Sequence, residues 1–451
     1  MPPRRSVQSL TPANLRAALA RLRTTNARAA RDYPGESADR QPVHSFYGGA
    51  HLFKADSAAR IGAAALSALD EYAPDGATLA RALDLPPDLA DTIRQRVVEK
   101  LRREPVEDFR IDFEDGYGIR PDAEEDGHAH SVAEEVARGS AAGTLPPFIG
   151  IRIKPMSKEL HARSLRTLDL FVSTLVRANR RLPSNFVVTI PKLMGTGHVA
   201  AVARACTALE RNLRLAAGSI KLELMIETPQ SILAADGSSP LRAFIAAGDG
   251  RIRGAHFGTY DYTALCGITA SFQHMRHAAC DFAKHMMQVG LAQSGVWLSD
   301  GATNIMPIAP HKAAPGATLS AEKRRQNIEV VHRAWRLHYD AAHQSLVNGF
   351  YQGWDVHPAQ LPTRYAAVYA FFLTARPAAT VRLRNFVEKA AQATLVGDVF
   401  DDAATGQGLL NFFVRGLSSG ALTLEEAYET GLTKDELHGR SFLKILKVRR
   451  R

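Results

Sequence analysis

The sequence predicts an α/β fold, a parallel (β/α)8 barrel carrying an N-terminal helical arm and a C-terminal helical extension. Three observations lead there. Eight short apolar runs rich in β-branched and aromatic residues recur along the chain. Segments of helical length separate them, several with amphipathic periodicity, which implies right-handed crossovers between parallel strands. The rival architecture, an open doubly wound sheet, would announce itself by a Gly-rich turn after its first strand, and none is present. The stretch GDGRIRG, with glycines at 248, 250 and 254, misses the G-x-G-x-x-G spacing and reads as an ordinary loop.

Taken in order, residues 1–41 form the arm. Thr11 and Pro12 are a helix start, and the basic, Ala-rich segment lacks the apolar core of a secretory signal. The barrel spans 42–358. Its expected strands are HSFYGG (44–49), DFRIDFED (108–115), PFIGIRIKP (147–155), FVVTIPK (186–192), IKLELMIET (220–228), IRGAHFGTYDY (252–262), GVWLSD (295–300) and GWDVHP (353–358). Between them, ARSLRTLDLFVSTLVRANRRL, HVAAVARACTALERNL and MRHAACDFAKHMMQVGLA are amphipathic helices. Residues 359–451 are the helical extension. PTRYAAVYAFFLTA and GLLNFFVRGL are apolar on one side there, and LTLEEAYETGLTKDEL reads as one capped polar helix.

Composition narrows the function classes. The 451 residues are 45% hydrophobic and 23% charged, as in globular chains, and the formal net charge is +10. That charge suits an anionic substrate. Lys and Arg are scattered, with small clusters only at the two ends, and neither zinc-finger spacing nor an RNP-like segment occurs, so nucleic-acid binding is not expected. The three cysteines, Cys206, Cys266 and Cys280, are odd in number and form no C-x-x-C pair, which fits reduced thiols in the cytoplasm. No apolar run approaches the roughly 20 residues of a membrane span.

In a barrel, chemistry sits at the carboxyl ends of the strands. The second run ends in Asp112, Glu114 and Asp115, the third in Arg152 and Lys154, the fourth in Lys192 and the fifth in Glu227. The sixth ends in Tyr260 and Asp261, and the eighth in Asp355 and His357. Glu227 and Asp261 are hard oxygen ligands that can hold Mg²⁺ octahedrally and leave positions for water and substrate. A 2-oxo acid would chelate through its carboxylate and keto oxygen, and the metal would act as a Lewis acid for the enolate that carbon–carbon cleavage generates. The rigid fork of Arg152 suits a substrate carboxylate or the developing enolate charge. Singly, each residue has a plainer reading. A lone Glu227 or Asp261 is more often a helix cap or loop acceptor, Arg152 a rim salt bridge, Lys192 a partner of a carboxylate, and His357 a strand terminator. His198 and His256 read as core or loop histidines, and the cysteines as buried fillers. The joint placement favours function.

These motifs resemble the HpcH/HpaI aldolase and citrate lyase β-subunit-like family, which includes malyl-CoA lyases. IDFEDGYG resembles its D-L-E-D-A-V motif, GIRIKP its R-V-N segment, TIPKL its P-K motif and MIETPQSIL its I-E-T stretch. HFGTYDYTALCG resembles F-G-x-x-D-L, and GWDVHPAQL resembles I-H-P-x-Q. The order agrees over roughly residues 42–362, with Glu227 and Asp261 34 positions apart. GTYDY also resembles malate synthase. By position, the resemblance implies that Arg152 binds the substrate oxyanion and that Glu227 and Asp261 bind Mg²⁺, with Mn²⁺ as an alternative ion. It implies that Glu114 and Asp115 shape the metal's water shell, Asp115 lying close to the position of a catalytic base. Lys192 and Asp112 complete the substrate-binding set. Two departures, Lys154 where asparagine is usual and FYGGAHLF in place of V-P-G-x, leave the acyl-carrier or CoA part of the substrate open.

The expected function is a carbon–carbon lyase, of aldol or Claisen type, acting on a 2-oxo acid or acyl-CoA-derived enolate, with Asp115 or a metal-bound water moving the proton. A class I aldolase with a Schiff-base lysine at Lys192 or Lys154, and a non-catalytic barrel serving as a binding or regulatory subunit, are the alternatives. A homo-oligomer, trimer or hexamer, is expected, with the C-terminal extension as a lid. Its acidic residues Asp398, Asp401 and Asp402 are candidates to cover the substrate.

Overall fold

The computed structural model describes residues 9–449 except 38, 315, 389–393, 397, 398 and 402. Eight parallel strands carry the molecule: β1 His44–Gly49, β2 Asp108–Asp112, β3 Phe148–Arg152, β4 Phe186–Ile190, β5 Lys221–Ile226, β6 Ile252–Phe257, β7 Trp297–Ser299 and β8 Gly353–Asp355. They pair in the order β7-β6-β5-β4-β3-β2-β1-β8. One bridge between Ser299 and Gln352 joins the two ends, helped by the bonds Asp300 N–H to Gln352 O (2.8 Å) and Trp354 N–H to Gly301 O (3.1 Å). The chain is a (β/α)8 barrel with helical extensions. Strands β2, β3 and β4 are buried throughout; β3 and β4 are largely apolar on both faces, whereas β2 alternates Asp108, Arg110 and Asp112 with Phe109 and Ile111.

Most expected runs overshoot the strands. Residues 113–115, 153–155, 191–192 and 227–228 lie beyond the ladder, in the loops of the carboxyl rim. The largest correction concerns β6, which stops at Phe257. TYDY is the first turn of a helix, Thr259–Leu265, because Gly258 turns the chain and its carbonyl accepts from Tyr262 N–H at 3.2 Å. Asp261 is therefore helical. A second correction concerns Asp355, which does not face the rim. It is fully buried and bonded by His44 Nδ1 (2.8 Å), His338 Nε2 (2.8 Å) and Arg364, an arrangement that ties β8 to β1 and to the outer helices. Cys206 and Cys280 are buried, but Cys266 is exposed just after the Thr259–Leu265 helix.

The barrel interior holds a polar cluster, signalled in the sequence only by the alternation of charged and apolar residues along β2. Arg110 Nη2 pairs with Asp108 (2.7 Å) and Glu223 (2.8 Å), and His256 reaches Glu223 at 3.1 Å. Burial alone would raise Glu223, but Arg110 and His256 overrule it and hold the carboxyl down at about 2. Gly150 makes the room, since a Cβ there would stand 2.0 Å from Arg110 Nη1.

Thr11 caps the helix Pro12–Asp32, none of whose residues is buried. At the other end, the helix Leu361–Glu388 packs on Ala321–Val347 and Ala90–Arg103, completing the outer layer beside β8. The helix Ala403–Ser418 follows, with Phe412 5.1 Å from Phe372 and buried Leu410 and Phe413 joining the main core. LTLEEAYETGLTKDEL forms two short helices, Leu424–Tyr428 and Lys434–Gly439. Each has its own capping box, and Gly431 at φ +76° separates them. Asp398 and Asp402 lie outside the described residues. Among those described, no helix is long and apolar enough to cross a membrane.

Candidate active site at the carboxyl rim

The strand ends bring six of the seven expected residues into one cavity of about 860 Å³ or to its edge. Asp112, Asp115, Arg152, Glu227 and Asp261 line it, and Glu114 stands behind them. Lys192, the seventh, bridges the carboxylates. Asp112, the last residue of β2, accepts from Arg152 Nε (2.8 Å) and Nη2 (2.5 Å), and from the backbone N–H groups of Glu114 (2.9 Å) and Gly116 (2.7 Å). Its oxygens are thus taken up in orienting the arginine. Arg152 Nη1 lies 2.9 Å from Glu114, and the guanidinium sits 5.1 Å from the centre of the Tyr47 ring, against which it stacks.

Lys192 has a left-handed backbone, φ +49°, in a residue that is not glycine. Such strain is tolerated where surrounding bonds demand it. Here the turned N–H donates to Glu227 Oε1 at 2.7 Å. The ammonium pairs with Glu114, Asp115 (3.0 Å) and Asp261 (3.4 Å). Gly258 lets β6 pass this group, since a Cβ there would fall 2.5 Å from Glu227 Oε2.

Four carboxylates, Glu114, Asp115, Glu227 and Asp261, thus share Lys192, and Arg152 Nη1 serves Glu114. Burial, with Glu114 and Asp261 adding to it, pushes the Glu227 carboxyl up to about 8, and burial raises Glu114 as well. Against its own burial, Lys192 is held above the usual ammonium range by Glu114 and Glu227. Among the described residues no three His, Cys, Asp or Glu side chains form a ready cage for a metal. Mg²⁺ does not require one, because it is commonly held by one or two carboxylates and otherwise by water and substrate. A carboxyl whose pKa is raised by burial first and by carboxylate neighbours second fits a divalent cation.

Lys154 donates to Phe113 O at 2.8 Å and pairs with Glu125 at 3.2 Å, away from this group. His357 caps the turn Pro358–Gln360, and His256 belongs to the interior cluster. His198 is half-buried at the start of the helix Thr196–Asn212. The sequence reading missed the apolar wall of the cavity, formed largely by residues following β1. Its only signal was that FYGGAHLF departs from the expected V-P-G-x.

Residues 22–445 match the family described as a domain of unknown function, DUF6986. The chain belongs to the DUF6986 family. Its barrel is similar to a citrate lyase from Burkholderia xenovorans LB400, at 19% identity and a TM-score of 0.55, over 75% of this chain and 92% of that one. Further matches are the Haloferax volcanii malate synthase magnesium/glyoxylate complex (14% identity, TM-score 0.46, 88% and 97% covered) and the CitE protein of Mycobacterium tuberculosis in complex with magnesium, acetoacetate and coenzyme A (14%, 0.46, 73% and 95%). The citrate lyase is of the class that the DUF6986 chain's motifs resemble, and at 19% identity the likeness is one of fold. No curated protein sequence matches the chain.

Proposed function

We propose that this chain is a magnesium-dependent enzyme that makes or breaks a carbon–carbon bond next to a 2-oxo acid or an acyl-CoA-derived enolate. One observation carries the reading: Asp115, Glu227, Asp261 and the fixed Arg152, brought from four places on the carboxyl rim, line one cavity with Glu114 behind them, and burial beside the other carboxylates raises Glu227 to about 8. Glu227 and Asp261 would hold the ion, with Glu114 and Asp115 facing its water. When bound, Mg²⁺ supplies Lewis-acid polarisation of a keto oxygen.

The chain's own groups do the rest. Arg152, locked by Asp112, presents its guanidinium to the cavity and stabilises negative charge as it develops on the substrate oxygen. Because its fork is already aligned, little reorganisation accompanies the reaction. Asp115, with its side chain 58% exposed and 3.0 Å from Lys192, can take a proton from the carbon next to the carbonyl and return it. Lys192 balances the carboxylates and sets the Glu227 position through its backbone.

The Schiff-base alternative loses support. An imine needs a neutral amine, whereas Lys192 is held protonated by its carboxylates and Lys154 is committed to Phe113 and Glu125. The test is retro-aldol cleavage of a 4-hydroxy-2-oxo acid with Mg²⁺, read as pyruvate release through lactate dehydrogenase. Release that stops with EDTA supports the reading. No cleavage of any 4-hydroxy-2-oxo acid or 3-hydroxyacyl-CoA thioester at any metal concentration sinks it.

A further inference from the structure

The cavity at the barrel mouth is chemically two-sided. The ends of β2, β3, β5 and β6 contribute Asp112, Asp115, Arg152, Glu227 and Asp261. The segments after β1, β7 and β8, with β2, contribute Leu52, Phe53, Ile61, Phe109, Met306 and Val356. Gly48 and Gly49 keep the β1 wall bare. A Cβ on Gly48 would already touch the Phe109 ring at 2.8 Å. Leu52 is 65% exposed. An apolar surface of this kind, continuous with convergent polar groups, is the usual build of a small-ligand pocket, and about 860 Å³ falls in the range of roughly 300–1,000 Å³ that such pockets occupy. A three-carbon oxo acid would reach only the polar corner.

We propose that this lobe receives an uncharged alkyl or aryl tail on the substrate, so that the enzyme acts on 2-oxo acids with a sizeable apolar substituent. The inference rests on the reading of Arg152, Glu227 and Asp261 as a 2-oxo acid site, and it deepens that reading by naming the rest of the substrate. The lining charges select the tail. Among the described residues the cations lining the cavity are Arg152, which Asp112 holds, and Arg60, whose Nε lies 3.1 Å from Asp56. A nucleotide-bearing thioester would need unpaired cations at the rim for its phosphates. An apolar tail needs only the wall that is present.

The test is calorimetric titration of the full chain, with Mg²⁺, by pyruvate, 2-oxobutanoate, 2-oxohexanoate, 2-oxooctanoate and 4-phenyl-2-oxobutanoate. Affinity should tighten about fourfold per added methylene until the lobe fills, the fold-change that corresponds to about 0.8 kcal/mol per buried CH₂. In Ile61→Asp that gain should fall below about twofold per methylene, with pyruvate affinity unchanged. Met306→Ala serves as the milder second variant, with a smaller loss of slope in the same direction. Pyruvate binding without any gain along the wild-type series would overturn the lobe and leave the oxo-acid site standing. Failure of every acid, pyruvate included, would overturn that site and the lobe together. Acetyl-CoA binding that Ile61→Asp abolishes would give the lobe to a thioester arm and also overturn the proposal.

Discussion

Asp112 grips Arg152 through two nearly parallel hydrogen bonds, 2.8 Å from Nε and 2.5 Å from Nη2. Bidentate geometry of this kind fixes the plane of the guanidinium as well as its place. Lysine keeps the charge but has no fork to be held. Arg152→Lys should therefore lose roughly 3 kcal/mol of transition-state stabilisation, about a hundredfold in kcat. Asp112→Asn should lower kcat about tenfold with KM little changed, because it loosens the arginine without touching substrate. Steady-state kinetics on folded variants checks both. A change confined to KM in Arg152→Lys would make that residue a ground-state contact.

Glu227 sets a pH dependence. Its carboxyl is pushed up to about 8, so below that pH a cation must displace a proton to reach it. Mg²⁺ affinity should rise by up to tenfold per pH unit toward 8 and level off above. The metal-free protein should behave in the opposite sense. A carboxyl whose folded pKa is raised contributes most below its unfolded value, about 4.3, and that contribution is lost as pH climbs from there to about 8. Without metal, Tm should fall across this window and Mg²⁺ should restore it. Glu227→Gln should abolish both trends. Persistence of the affinity slope in that variant would move the titration to another group.

Lys192 should never form an imine. Its ammonium is held by Glu114, Asp115 and Asp261. Treatment with pyruvate and borohydride should leave the mass of the protein unchanged. A stable adduct mapped to Lys192 would place the chain among the Schiff-base aldolases.

Asp355 carries stability rather than chemistry. It sits at full burial between His44, His338 and Arg364. Removing one partner of such a group leaves the others uncompensated, at a cost of about 3–5 kcal/mol. Asp355→Ala should shift chemical denaturation by that amount, and the folded fraction should retain near-normal kcat. Unchanged stability with lost activity would return Asp355 to the active site.

The barrel was legible because short runs with apolar residues ending in charge recur along the chain, a pattern that β3 and β4 print directly into the sequence. The strand ends were less legible. TYDY reads as strand by composition, and only the backbone turn at Gly258 makes it helix. The three residues of β8 are too few to establish a period, which hides the face that Asp355 takes. Arg152, Glu227 and Lys192 were legible as strand-end charges. Their pairing was not, because it depends on the left-handed turn at Lys192 and on Asp112, whose charge reads as available until its four donors are seen. The extension reads as an appendage, yet Phe412, Phe413 and Phe442 pack into the same core as the barrel helices. Truncation before Ala391 would strip that surface, so the segment matters for folding as well as for any lid.

The most direct test is deuterium exchange at C3 of pyruvate, followed by proton NMR in D₂O with Mg²⁺. Enolisation is the step that the Glu227–Asp261 pair and Arg152 are proposed to promote, and the assay needs no knowledge of the acceptor. The wild-type chain should exchange, EDTA should stop it, and Glu227→Gln and Asp261→Asn should each remove most of the rate while remaining folded. Exchange at the wild-type rate in both variants, with unchanged Mg²⁺ dependence, would contradict the account.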